Sequence, residues 1–530
     1  MRILVIIFCL LLSVFSSSDA QTNFSEHIAP LIYKNCGSCH RSGEIGPMNL
    51  TNYEEVKNWS TMIKYVTSIK YMPPWQADPE YSRFQSENFL TDEEIEKIAQ
   101  WVDNGTPEGD PSLAPPFPDY PSGSLLGTPD LVLEMSQSHT HLGNNRDSYM
   151  YFVLPTGLTE DKVVKAIEFR AGNNKIVHHA LLFEDTDGIA AATDATTPEY
   201  GFEGFGGFDG GDDLGVLEQK QYPGYVPGQK PLRYPIGIGQ TLAAGSDLVI
   251  QIHYAPGSVP ESDKSSVNIF FAEEEEEIER YVEDYIMLPF NIPGGFFNFV
   301  MLPEQVREFH GTWTIPKPIS LVGISPHMHL LGQDWTVYVE HQDGTTTNLI
   351  NIPEWDFNWQ GNYYFRKYII AQPGDVVHAL ATYDNTSENP SNPSSPPKFV
   401  SWGENTDDEM YYLPILFVDY KEGDEDIIFE SETTNTSELE DITDKNFLFP
   451  VSPNPAEGIV KTGFQLYSGT TLQISIVDVD GNQIKSIRSG EFYNAGRHDL
   501  QFDTSNFNSG TYFLTVRSKN FSLTEKFIKT

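Results

Sequence analysis

Residues 246–254 read SDLVIQIHY. Successive side chains of a β-strand point to opposite faces. Leu248, Ile250 and Ile252 therefore share one face, and Val249, Gln251 and His253 share the other. The alternation predicts a half-buried strand with a histidine on its less apolar side. Residues 335–340, WTVYVE, alternate in the same way. Runs of this kind recur at short intervals from 130 to about 420, separated by Gly, Pro, Asn and Asp. That texture predicts β-sandwich or jelly-roll domains. The stretch is long enough for two, 130–295 and 296–423, divided near residues 289–303.

Outward from His253, further histidines stand in similar runs. His178 and His179 lie in KIVHHALLFED, and His327 and His329 in ISPHMHLLG. With Met410 in DDEMYYLPILF they give five imidazoles and one thioether, a donor set suited to two metal ions. Residues i and i+2 of a strand face the same side, so His327 and His329 can close on one ion. That pair alone would also suit zinc. Met410 tips the choice, because a thioether is a poor zinc ligand and a good Cu(I) ligand. Three protein ligands leave a position open for dioxygen or substrate. His178 and His179 would diverge on a regular strand. They share an ion with His253 only at a bulge or strand end, or through different ring nitrogens. No glutamate sits beside a histidine pair in HExxH fashion, which disfavours a zinc hydrolase. His139 and His141 also have metal spacing and read as a surface or secondary site. His310, His341 and His378 read as ordinary histidines.

The chain has 530 residues, with 33 basic against 75 acidic side chains and a formal charge of −42. A surface so acidic argues against nucleic acid or anionic lipid as partner. Residues 1–20, MRILVIIFCLLLSVFSSSDA, have the layout of a secretory signal with an apolar core too short to anchor. Its removal would leave two of the three cysteines, Cys36 and Cys39, so no disulfide framework is expected.

Residues 21–112 read as a small helical domain. Val56, Trp59, Ile63, Val66 and Ile69 fall at helical spacing within 53–71. Thr91 and Glu94 form a capping box ahead of Ile95, Ile98, Ala99 and Val102, with Gly105 as the stop. Before these helices comes Cys36-Gly-Ser-Cys39-His40. Two thiols at this spacing can form thioethers to a haem, with the adjacent histidine as an axial ligand. A redox disulfide is the competing reading, but no βαβ pattern surrounds the motif. The sixth ligand is expected to be Met72 in YMPPW, with Met48 in GPMNL as the alternative. A proline- and glycine-rich linker, 113–129, follows. The segment GFEGFGGFDGGDD, 201–213, is expected to be a flexible loop. Residues 424–445 form an acidic linker, and 446–530 read as a compact module of about seven strands.

Three resemblances overlie these readings. Residues 21–112, with CxxCH, the MPPW loop and WVDNGTPEGD, resemble small class I-type c cytochromes fused to bacterial oxidases and oxygenases. The ordered set VHHALLF, IQIHYAP, PHMHLLG and DEMYYLPILF resembles the copper type II ascorbate-dependent monooxygenases. That family includes peptidylglycine α-hydroxylating and dopamine β-monooxygenases. The likeness implies an electron-transfer copper at His178, His179 and His253, and an oxygen-activating copper at His327, His329 and Met410. The departure is the complete lack of cysteine in this region, where the animal enzymes are laced by disulfides. No residues match those that grip a peptide carboxylate or a catecholamine. The C-terminal module resembles the type IX secretion sorting domain, on its PNP, DxxG and SGTYFL signatures; an ordinary immunoglobulin-like module is the alternative.

Together these imply a multidomain chain: a small all-α cytochrome c domain, two jelly-roll β-sandwiches and a small C-terminal β-sandwich. The expected function is a secreted or cell-surface copper monooxygenase that hydroxylates an unknown small-molecule or peptide substrate with dioxygen. Its cofactors would be one covalent haem c and two coppers, with electrons from a donor through the haem, from ascorbate, or both. Export would use a Sec signal and then the type IX secretion machinery. The alternative is a non-enzymatic haem and copper protein for electron transfer or copper holding.

Overall fold

The computed structural model describes residues 22–120, 123–204, 208, 219–235, 237–274, 276–403, 405–429 and, with short gaps, 446–529. The signal segment, most of the 201–213 loop, and the acidic linker beyond 429 lie outside the described residues. So do 453–454 of the PNP signature and 479–481 of the DxxG turn. The chain forms two compact units, 1–74 with 88–120, and 75–87 with 121–530.

The first unit packs α1 (Ala29–Asn35), α2 (Tyr53–Asn58), α3 (Ser60–Ser68) and α4 (Asp92–Asp103) around Ile32, Val56, Ile63, Ile98 and Trp101. The capping box forms as the sequence predicts, with the Thr91 and Glu94 side chains each meeting the other's backbone. Gly105 takes the left-handed conformation (φ +82°) that ends a helix without steric cost. The single helix expected over 53–71 is instead two. At Trp59 (φ −103°, ψ 5°) the backbone leaves the helical region, and α3 stops at Ser68. Val56 and Ile63 are buried, whereas Trp59 and Ile69 are exposed and lie off that core-facing stripe. No described helix is long and apolar enough to cross a membrane.

In the second unit the first sandwich contains β1 (Leu131–Glu134), β2 (His139–His141), β3 (Ser148–Pro155) and β4 (Lys162–Arg170). It continues through β5 (Val177–Asp185), β6 (Phe202–Glu203), β7 (Gln221–Tyr225) and β8 (Ile238–Leu242). It ends with β9 (Asp247–Tyr254), β10 (Glu261–Asp263), β11 (Ser266–Phe271) and β12 (Arg280–Tyr281). One sheet has the order β1-β11-β4-β8-β12 and the other β6-β3-β9-β5-β7. The alternating stretch from the sequence is β9, central in its sheet, and its Leu248, Ile250 and Ile252 enter the core between the sheets. The glycine-rich loop is more ordered at its start than expected. Phe202 is buried on Tyr151 at 5.2 Å, and this anchors β6 against β3.

The second sandwich contains β13 (Glu283–Met287), β14 (Val300–Met301), β15 (Gln305–Thr314), β16 (Ile319–Ile324) and β17 (Gly332–Glu340). Then come β18 (Thr346–Ile352), β19 (Tyr363–Ala371), β20 (Val376–Asn385), β21 (Val400–Ser401) and β22 (Leu413–Asp419). Its sheets are β13-β22-β16-β19 and β15-β20-β17-β18. β13 pairs with β22, so this sandwich begins ahead of the expected boundary at 296. Ladder bonding, rather than the prolines near 289–303, sets that boundary. A second departure concerns residues 75–87, expected in the helical domain. Trp75 and Phe84 pack on Tyr363, at 5.3 and 5.2 Å, and Phe84 pairs with Phe365 at the edge of β19. Arg366 seals the segment with an ion pair to Glu87.

The C-terminal module is two sheets. One orders Phe447–Leu448, Ile459–Leu466 and Gly496–Asp503; the other orders Gln483–Tyr493, Thr470–Asp478, Gly510–Arg517 and Ser522–Lys529. Val460, Phe464, Ile474, Leu514 and Phe527 fill the space between them.

Candidate metal centres

His179 and His253 are direct cross-strand partners on β5 and β9. The register slips between Val177 and His179, the bulge that two neighbouring histidines need in order to face one point. His178 Nδ1 lies 3.2 Å from His179 Nδ1, which lies 3.3 Å from His253 Nδ1. Three nitrogens each about 2.0 Å from one ion in a plane would stand about 3.5 Å apart. Among the described residues, these three histidines form the one cluster of His, Cys, Asp or Glu side chains whose ligand atoms come close enough for a metal. Asp147 accepts a 2.7 Å hydrogen bond from His253 Nε2, which leaves Nδ1 as the free donor atom. Tyr149 stacks flat on the same ring at 4.2 Å and fixes its plane.

The second set uses the opposite nitrogens. His327 Nδ1 donates to Gln360 Oε1 at 2.7 Å and His329 Nδ1 to the Asp408 carbonyl at 3.2 Å, so both present Nε2. Their rings are 5.1 Å apart and nearly perpendicular. The HxH stretch is not a strand, as the spacing argument assumed. It is an extended segment beyond the end of β16, held by a single bridge from His327 to Tyr412. Pro326 has no N–H for a ladder there. Alternation survives, since Met328 is fully buried between the two histidines. Met410 joins them through Glu409, a buried carboxylate that accepts backbone N–H groups of His329 (2.9 Å), Leu331 (2.6 Å) and Met410 (3.2 Å). Burial pushes the Glu409 carboxyl up to about 8. This clamp ties the histidine segment to the methionine.

Both sets face one cavity, which is lined by His179, His327, His329 and Met410. The Phe357 ring borders both, 6.1 Å from the His178 ring and 5.7 Å from the His329 ring. The loop carrying Phe357 and Gln360 is anchored from the 75–87 segment. Gln76 Nε2 donates to the carbonyls of Asp356 (2.7 Å) and Trp359 (2.8 Å). Asp147, Gln360, Glu409, Phe357 and Gln76 border or orient the candidate site and were not singled out by spacing. Of these, only Glu409 had a signal, as the acidic neighbour of Met410.

Elsewhere, His139 and His141 pack on Tyr254, and no third ligand gathers with them among the described residues. His310 and His378 bond each other at 2.8 Å, and His341 pairs with Asp375. In the first unit, Cys36 and Cys39 are free thiols, and His40 Nδ1 donates to the Met48 carbonyl at 3.2 Å. Met72 is half-buried, with its N–H on the Val66 carbonyl.

Burial lowers His178 and His327 from the ordinary 6.5 to about 4, and His329 to about 3. These rings stay neutral when folded and gain protons more readily when unfolded. Their contribution to stability is complete above about pH 6.5 and is lost as pH falls toward 4. Thermal melts of the metal-free protein are therefore expected to lose several degrees between pH 7 and 5. A melting temperature that is flat or rising over that window would contradict the burial. A metal held by these rings would shrink the loss until protons displace it.

Comparison with known proteins adds one assignment. No curated protein matches the chain. Solved structures that align with it include β-glucuronidases from Faecalibacterium prausnitzii (12% identity, TM-score 0.13) and Parabacteroides merdae (14%, TM-score 0.13). The first alignment covers 42% of this chain and 37% of that enzyme, the second 43% and 28%. The chain thus spans well under half of those enzymes' length. Similarity at this level carries no argument about activity. Residues 450–530 match the family model of the secretion system C-terminal sorting domain, which marks the protein for export to the cell surface or beyond through type IX secretion machinery.

Proposed function

We propose that residues 130–420 form a copper-dependent monooxygenase, fed electrons through a fused c-type haem or by ascorbate. The observation that carries this reading is the convergence of the His178, His179 and His253 Nδ1 atoms beside a cavity shared with His327, His329 and Met410. The reaction balances as R–H with dioxygen, two electrons and two protons giving R–OH and water. Copper when bound supplies one-electron chemistry, toward dioxygen at the His327, His329 and Met410 set and as an electron store at the other, with haem iron as a further single-electron carrier.

The chain's own residues do the remaining work. Asp147, Gln360 and the Asp408 carbonyl select the tautomers of His253, His327 and His329 and aim the free nitrogen of each. Glu409 holds Met410 and His329 in one frame. The donor set, five imidazoles and a thioether with no carboxylate, suits copper better than a hard ion.

The haem reading is supported by the first unit. Burial pushes the Cys36 thiol up to about 12, the reverse of the lowered value a redox CxxC nucleophile uses. The His40 bond to the Met48 carbonyl leaves Nε2 for iron. It also commits Met48 to the histidine's side, which favours Met72 as the sixth ligand. Met62, Tyr65 and Ile69 leave an exposed apolar stripe along α3, the kind of face a large apolar ring would cover.

Metal analysis and a haem stain on the purified, exported chain test the reading. Two coppers and one covalently held haem iron per chain are expected. Zinc in place of copper, or less than one copper equivalent after loading with Cu(I), would overturn it.

A further inference from the structure

We propose that the cavity between the two histidine sets takes an uncharged, largely hydrocarbon molecule about the size of a substituted benzene. This rests on the reading of His327, His329 and Met410 as the reacting centre, and extends it to the class of substrate.

The cavity measures about 190 Å³ and is walled from both sandwiches, by Leu181 and Tyr225 on one side and Phe357, Tyr412 and Leu416 on the other. An apolar cavity of about 150 Å³ is enough for benzene. The amides that reach the cavity are already committed to the protein, Gln221 by donating to the Tyr412 hydroxyl at 3.4 Å. Gln240 accepts from Tyr234 (2.8 Å) and donates to the Gln221 carbonyl (3.0 Å). Gln251 donates to the Tyr151 hydroxyl (2.7 Å), and Gln360 links His327 to the Phe357 carbonyl. Asn362 accepts from Ser325 (2.7 Å) and donates to Gln229 (3.1 Å). The wall therefore meets a ligand mainly with rings and aliphatic carbon.

Charge is selected against in both directions. Among the described lining residues there is no lysine or arginine. A carboxylate or phosphate would be buried without a cationic partner, which costs several kcal/mol. Among the described residues, the one lining carboxylate, Asp284, is solvent-exposed on β13. An ammonium beside His179, His327 and His329 would face imidazoles, with the exposed Asp284 as the one described anion of the lining.

The test is calorimetric titration of the metal-free full chain at pH 7 with 2-phenylethanol, phenylacetate and 2-phenylethylamine. Metal-free protein keeps a carboxylate or amine from ligating copper directly. The alcohol is expected to bind at least tenfold tighter than either ion. Leu416→Trp, which fills the cavity, should weaken that binding tenfold or more while the melting temperature is retained; Leu181→Phe is the second filling variant should the first not fold. Equal or tighter binding of either ion, binding of none of the three, or indifference to both filling variants would overturn the proposal. Copper stoichiometry, measured separately, distinguishes the two failures. Two coppers with preferred phenylacetate binding would sink the substrate class alone, and alcohol binding without copper would sink the catalytic reading alone.

Discussion

His327→Ala is expected to lower oxygen-dependent turnover of the copper-loaded, reduced protein by at least about a thousandfold, with one copper and normal haem reduction retained. The size of the effect follows from the ligand count. His327 and His329 each spend Nδ1 on a protein acceptor and offer only Nε2. Without His327, a three-ligand site becomes His329 and Met410, two donors that cannot hold the ion in an open three-coordinate frame. The His178, His179 and His253 set is built on β5 and β9 of the other sandwich and should keep its copper. His310→Ala is the control. Its ring is exposed, bonds His378 on the neighbouring strand β20 and is not among the residues lining the cavity, so turnover should not change. Oxygen uptake near the unaltered rate in His327→Ala, with substrate hydroxylation intact, would end the assignment of the reacting centre.

The second large effect concerns the first unit. Replacing both Cys36 and Cys39 by alanine is expected to remove covalently bound haem completely, read by a haem stain on a denaturing gel. Both thiols sit in the turn after α1, next to His40. The α-helical core is filled by Ile32, Val56, Ile63, Ile98 and Trp101, with Cys36 only partly buried at its margin and Cys39 outside it, so alanine at both positions leaves the core closed. Copper should remain at two per chain, and ascorbate should still support oxygen uptake. Haem that survives denaturation in this variant would refute the attachment. Loss of copper together with haem would mean that the variant perturbs the whole chain and not one motif.

Much of the scaffold was legible because its signals are local. Period-two alternation marked β9 and β17, and the Thr91 and Glu94 pair marked the start of α4. The condition on His178 and His179, that a bulge, a strand end or different ring nitrogens must bring them together, is the kind of statement geometry permits without coordinates. Other errors came where a local signal was overridden. The helical pattern over 53–71 ignored the backbone turn at Trp59, and the proline-based boundary ignored β13's ladder to β22. Residues 75–87 read as part of the helical domain by position, but their aromatic side chains found a better burial against β19.

The candidate donor set, five imidazoles and a thioether, and the sorting module at 450–530 were legible in the amino-acid sequence alone, because residue type and short spacing suffice for both. Tertiary structure alone decided which nitrogen His253, His327 and His329 present. The partners Asp147, Gln360 and Asp408 stand 106, 33 and 79 residues from the rings they orient. Hydrogen bonds across such distances leave no periodic trace in a chain, since they depend on where strands register and not on what lies beside each histidine. The apolar wall of the cavity is of the same kind, assembled from two sandwiches whose facing residues meet only once each core has closed.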